Sequence, residues 1–183
     1  MTIRHTVRIT PLGVVLNGQS LETKAQGAAL LTELYRSRVN DYPKFFKMDE
    51  LSKLGFIASE LLLQAAGSRH QDSDDRAVIL FNRSGSVCND RKYQATIQEG
   101  DNYYPSPSLF VYTLPNIVTG EIAIRNGWYG ETAFYVLDHY DAALIQATIE
   151  ASLRDGTTQS ALCGWLDCER PDDFEATLQL IEK

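Results

Sequence analysis

The stretch "RAVILFN", residues 76–82, restricts the fold more than any other part of this sequence. Its apolar run is too short for a helix and has no polar alternation, so it reads as a strand buried on both faces of a parallel sheet. A second such run, "TAFYVL", lies at 132–137. Between and around them the periodicity changes to that of helices. Residues 49–67 carry Leu51, Leu54, Ile57, Ala58, Leu61, Leu62 and Ala65 at helical spacing, with Asp49 as N-cap and Gly67 as stop. Strands alternating with helices imply an α/β layer fold with a mostly parallel sheet, helices on its faces, and ligands at the carboxyl ends of the strands. Both "RSGS" after Phe81 and "DHYD" after Leu137 fall at such ends.

The remaining segments fit the same scheme. Residues 6–16 read as a strand bent at Pro11 and Gly13, residues 23–38 and 89–98 as helices, and 109–127 as a helical run that Pro115 restarts or kinks. The stretch "DHYDAALIQATIEASLRDG" reads as a helix closed by Gly156, "TQSALCGWLDC" as a third strand, and "PDDFEATLQLIEK" as a final helix. At 183 residues the chain fits one domain, residues 1–183.

A net charge of −7 opposes nucleic-acid binding, which needs a basic face to release counterions. It equally disfavours an anionic membrane surface. No apolar stretch approaches the length of about 18 residues that spans a bilayer, and the first ten residues do not resemble a signal peptide, so the cytoplasm is the expected location. Cys88, Cys163 and Cys168 are odd in number and are expected as reduced thiols. The spacing of Cys163 and Cys168 is looser than a zinc knuckle, and neither a metal nor a cofactor is implied.

Four pieces together resemble the N-terminal half of a β-ketoacyl synthase, of the thiolase-like superfamily. They are "GVVLNG", "AVILFNRSGS", "SPSLFVYTLPNIVTGEIAIRNGWYGET" and "FYVLDHYDAALIQATIEASLRDG". The resemblance implies a single thiolase-like half. It also implies a nucleophilic cysteine at the tip of the helix after "TAFYVL", where the helix dipole and free N–H groups lower a thiol pKa and stabilise an oxyanion. His139 or Tyr140 stands there instead, depending on the direction of counting. The pair of histidines that the family draws from its second half has no counterpart in the contexts of His5, His70 and His139.

The expected function is therefore a non-catalytic ketosynthase-like subunit similar to a chain length factor. It would assist a full-length ketosynthase in fatty-acid, polyketide or aryl-polyene synthesis, as a homo- or heterodimer paired through "TAFYVL" and served by an acyl carrier protein. The basic stretch with Arg36, Arg38, Lys44, Lys47 and Lys53 is a candidate carrier-docking face, with an ordinary solvated surface as the alternative. The aromatic residues Tyr103, Tyr104, Phe110 and Tyr112 are candidates for an interface or an acyl tunnel.

Two other readings compete. One is an acyl-transfer or thioester-hydrolysing enzyme using His139 oriented by Asp138 or Asp141, or Cys88 as nucleophile. The other is a stand-alone acyl-binding protein. The simplest role for the corner is capping, with Asp138 as N-cap and Asp141 in the first helical turn.

Overall fold

The computed structural model describes residues 1–101 and 104–183. The chain opens with β1 (Thr2–Thr10), β2 (Gly13–Leu16) and β3 (Gln19–Leu21), followed by α1 (Ala28–Leu34) and α2 (Glu50–Ala66). After them come β4 (Arg76–Asn82), α3 (Val87–Ala95), α4 (Pro107–Val111), α5 (Ile117–Asn126) and β5 (Thr132–Val136). The last elements are α6 (Ala142–Arg154), β6 (Ser160–Arg170) and β7 (Asp173–Glu182). All seven strands form one sheet in the order β3-β2-β1-β7-β6-β4-β5.

Strand β4 shows why an all-apolar run is needed at this place. It pairs in parallel with β5 on one side and β6 on the other. Its side chains alternate between two cores: Val78 and Leu80 pack with α2 residues such as Leu54, Ile57 and Leu61, while Ala77, Ile79 and Phe81 pack with Ile145, Ile149 and Leu153 of α6. The result is three layers, with helices on both faces of the sheet. Among the described residues α6 is the helix on its face.

The α/β class holds, but the mostly parallel sheet does not. Only β4 is flanked by parallel partners; β7 is antiparallel to both β6 and β1, and the β1–β2 and β2–β3 pairings are antiparallel as well. One cause is the run of hairpins through β1, β2 and β3; the other is the final segment, which is a strand and not the expected helix. Phe174, Ala176, Leu178 and Leu180 alternate inward along β7, and both edges of that strand are paired.

Helix α2 starts and stops as its sequence implies. Asp49 accepts from the Ser52 amide at 3.0 Å, and Gly67 takes the left-handed conformation with φ 64°. The expected bend at Pro11 and Gly13 is a hairpin turn between β1 and β2. Pro115 starts a fresh helix, separating α4 from α5. Helix α1 is shorter than expected and runs into a single wide turn, residues Tyr35–Val39.

Candidate functional site

The corner after β5 is tied down before it reaches the helix. The Leu137 amide donates to the Asn82 carbonyl at 2.8 Å, extending the β4–β5 ladder by one bond. The Asn82 side chain in turn closes the loop that follows β4: its Nδ2 donates to the Gly85 carbonyl at 2.8 Å and its Oδ1 accepts from the Gly85 amide at 3.0 Å. Ser84 donates to Asp167 of β6 through its amide at 3.0 Å and its hydroxyl at 3.2 Å. Three adjacent strands thus fix "RSGS" and "DHYD" against each other.

The cap of α6 is Asp141, not Asp138. One Asp141 carboxylate oxygen accepts from the Ala143 and Leu144 amides, each at 3.0 Å. Amides that could hold an oxyanion are occupied by the chain's own carboxylate. Asp138 and His139 stand ahead of the cap, in non-helical chain. Adjacent residues on a helix do not face each other, but off the helix these two do: His139 Nδ1 lies 2.7 Å from Asp138 Oδ1. The side chains are 71% and 88% exposed, respectively, and neither has another partner among the described residues. Tyr140 packs edge-on against Trp165, with ring centroids 5.3 Å apart.

These residues border a cleft of about 450 Å³ at the carboxyl ends of β1, β4, β5 and β6, the end of the sheet where a ligand is expected. It brings Asp138, His139 and Tyr140 together with Arg83, as the strand ends imply. Beside Thr10, Pro11 and Phe174, the wall also takes Trp165, Asp167 and Glu169 from β6, and Asp173 and Glu175 from β7. Sequence reasoning missed these five; the only sign of them was a carboxylate, Asp167, in the otherwise apolar "GWLDC". The wall holds five carboxylates against the single guanidinium of Arg83, which is itself paired with Glu169 at 3.1 Å.

The other candidates lie elsewhere. Cys88 is 5% exposed and packs in the core beneath the helices, outside the cleft wall. Cys163 and Cys168 point into opposite cores, so they cannot share a ligand. In the basic stretch, Lys44 is bound to the nearly buried Glu121 at 2.8 Å. Arg36, Arg38 and Lys47 are exposed without an ion pair among the described residues. Of the aromatic group, Tyr103 lies outside the described residues, and Tyr104 and Phe110 are 77% and 53% exposed. Tyr112 instead donates to Glu121 at 3.1 Å; burial and that carboxylate push its hydroxyl well above the usual range. Among the described residues no helix is long and apolar enough to cross a membrane.

No family model and no curated protein matches the sequence. Solved structures do. The chain shares its α/β fold with solved ketosynthase and chain length factor structures. It is similar to the ishigamide ketosynthase/chain length factor at 17% identity and TM-score 0.72, over 99% of this chain and 61% of that one. It is similar to the complex of the ketosynthase ApeO with its chain length factor ApeC from Xenorhabdus doucetiae at 14% identity and TM-score 0.64, over 100% of this chain and 79% of that one. A third match is AntDE:AntF, a type II polyketide acyl-carrier protein in complex with its ketosynthase bound to the hexaketide, at 14% identity and TM-score 0.68, over 99% and 62%. The chain thus spans less than two thirds of the ishigamide protein it matches.

Proposed function

We propose that this chain is a non-catalytic ketosynthase-like subunit in the manner of a chain length factor, pairing with a full-length ketosynthase in polyketide, aryl-polyene or fatty-acid synthesis. One observation carries the reading. The tip of α6, where the resemblance calls for a thiol, has imidazole and phenol ahead of it and a carboxylate capping it. A carboxylate cap opposes both a thiolate and an oxyanion at that place. The acidic cleft wall repels the phosphate of a carrier-bound pantetheine arm in the same way.

The partner side is argued from surface composition. Among the described residues, ten of the fifteen large apolar residues that are exposed fall between Tyr104 and Leu144, on and around α4, α5, β5 and the start of α6. Strand β5 is the last strand of the sheet on that side, with Tyr135 and Val136 40% and 54% exposed. An apolar edge of this kind invites a further strand, and a heterodimer through β5 is the arrangement we favour. Arg36, Arg38 and Lys47 are the residues available to an acidic carrier protein.

The test is incubation of the pure chain with acyl-carrier thioesters, followed by intact mass and free thiol. The expected result is no acyl adduct and no thiol release, together with co-purification with a ketosynthase on co-expression. An acyl adduct or steady thiol release would overturn the reading. The short His139–Asp138 contact favours a second reading, a thioester hydrolase with His139 as general base. In that case thiol is released and His139→Ala abolishes the release.

A further inference from the structure

The short turn Pro43–Lys47 sends one phenylalanine inward and the next outward. Phe45 is buried and stacks on the buried ring of Tyr35, with centroids 4.3 Å apart. Phe46 is 52% exposed, yet it stands edge-on to Tyr35 at 5.1 Å and to Phe45 at 5.5 Å. The Tyr42 amide donates to the Tyr35 hydroxyl at 2.9 Å and ties the turn to this ring platform, while Pro43 fixes the backbone at the first position of the turn. An exposed ring seated on a rigid pair has little rotamer freedom left to lose on binding.

The charges beside Phe46 are out of balance. Between residues 28 and 47 the carboxylates are Glu33 and Asp41, and both are engaged within the chain. Glu33 accepts from the Lys24 and Ala25 amides, and Asp41 is held by the guanidiniums of Arg69 and Arg125. Lys44 is likewise taken, by Glu121. Arg36 and Arg38, on the turn that carries Tyr35, and Lys47, next to Phe46, are exposed and have no ion pair among the described residues. In a chain of net charge −7 they form a cationic patch with an apolar ring beside it.

We propose that Phe46 is the apolar anchor of a docking surface for an acidic helix of the carrier protein, with Arg36, Arg38 and Lys47 as its charged rim. The inference rests on the carrier reading above and deepens it: there charge alone holds the carrier, here a covered ring does. Hot spots have this composition, a rigid aromatic side chain beside polar groups that keep water out. The two parts divide the work. Attraction between the rim and the partner's carboxylates speeds encounter and fades in salt, while burial of the ring slows dissociation and is indifferent to salt. Charge complementarity selects the occupant, a helix that sets an apolar side chain among carboxylates.

The experiment immobilises the full-length chain, passes a set of holo type II acyl carrier proteins over it in low and in high salt, and reads association and dissociation rates. Phe46→Ala is expected to weaken binding by about tenfold or more at both salt levels, through faster dissociation. Lys47→Glu is expected to weaken it in low salt only, through slower association. Phe46→Leu keeps most of the affinity. Phe46→Lys separates ring from charge, since it adds a cation to the rim and removes the ring, and a weaker complex is expected. Its aliphatic stem still covers the platform, so it serves as the test if circular dichroism shows Phe46→Ala unfolded. Three results would overturn the proposal: Phe46→Lys binding as tightly as the parent or more so, no carrier protein binding the parent, or sedimentation showing that Phe46 holds two copies of this chain together. The first leaves the carrier reading standing on charge alone, and the second leaves the pairing with a ketosynthase, read by co-purification, untouched.

Discussion

Gly164 lies in the middle of β6, where a side chain is normally an asset. Its φ of 138° is a value L side chains rarely adopt, and a Cβ built there would collide with the Thr177 carbonyl and the Leu178 Cα of β7. Those are backbone atoms in a paired ladder and cannot step aside. Gly164→Ala is expected to destabilise the chain by about 1–3 kcal/mol, read as a lower urea midpoint with unchanged slope; an unchanged midpoint would refute it. At the same scale, the sequence identified the corner residues but not their arrangement. Asp138, His139 and Tyr140 were legible as a group because a buried strand ends just before them. Which carboxylate meets His139, Asp138 or Asp141, is open in the sequence, because neighbours on a helix do not face each other and only the true cap, Asp141, shows that Asp138 and His139 lie in loop.

Elements were legible where local pattern and tertiary context agree. Helix α2 has helical periodicity, an aspartate cap and a glycine stop, and each of these is present. Strand β7 was illegible because Ala176, Leu178, Gln179 and Leu180 are ordinary helix formers, while the period-2 burial that overrides them depends on β1 and β6 lying alongside. The cap of α2 has a cost of its own. Burial raises the Asp49 carboxyl above its ordinary value, against the lowering effect of its Ser52 hydrogen bonds, so the folded chain holds that proton more tightly than the unfolded one. The stabilising contribution is fully present below the unfolded carboxyl value of about 3.9 and is lost as pH rises through the folded value. Asn keeps the acceptor for the Ser52 amide without the charge. Asp49→Asn is therefore expected to be more stable than the parent at neutral pH, the gap narrowing as pH falls into the carboxylate range. Urea unfolding at a series of pH values measures this, and a gap that widens toward low pH would contradict it.

At the scale of the whole molecule the sheet is closed differently at its two ends. The β1 end is continued by the short hairpin strands β2 and β3, a form that blunts an edge. Among the described residues the β5 end has no such cover. There the Val78 amide donates to the Glu131 carbonyl and the Leu137 amide to the Asn82 carbonyl, so odd-numbered residues of β5 face β4 and the backbone of 132, 134 and 136 faces outward. Proline at 136 removes an outward donor and leaves the ladder to β4 intact. If the partner adds a strand here, Val136→Pro lowers its affinity by about tenfold or more, the loss of one main-chain bond and its geometry. Val136→Thr, which keeps the amide and the β-branch, binds as the parent does. Sedimentation of the chain with its co-purifying ketosynthase separates the cases. Equal binding by the proline variant, with its circular dichroism unchanged, would move the interface off β5 and onto the exposed faces of α4 and α5, where Phe110, Leu114 and Ile124 are the next apolar residues available.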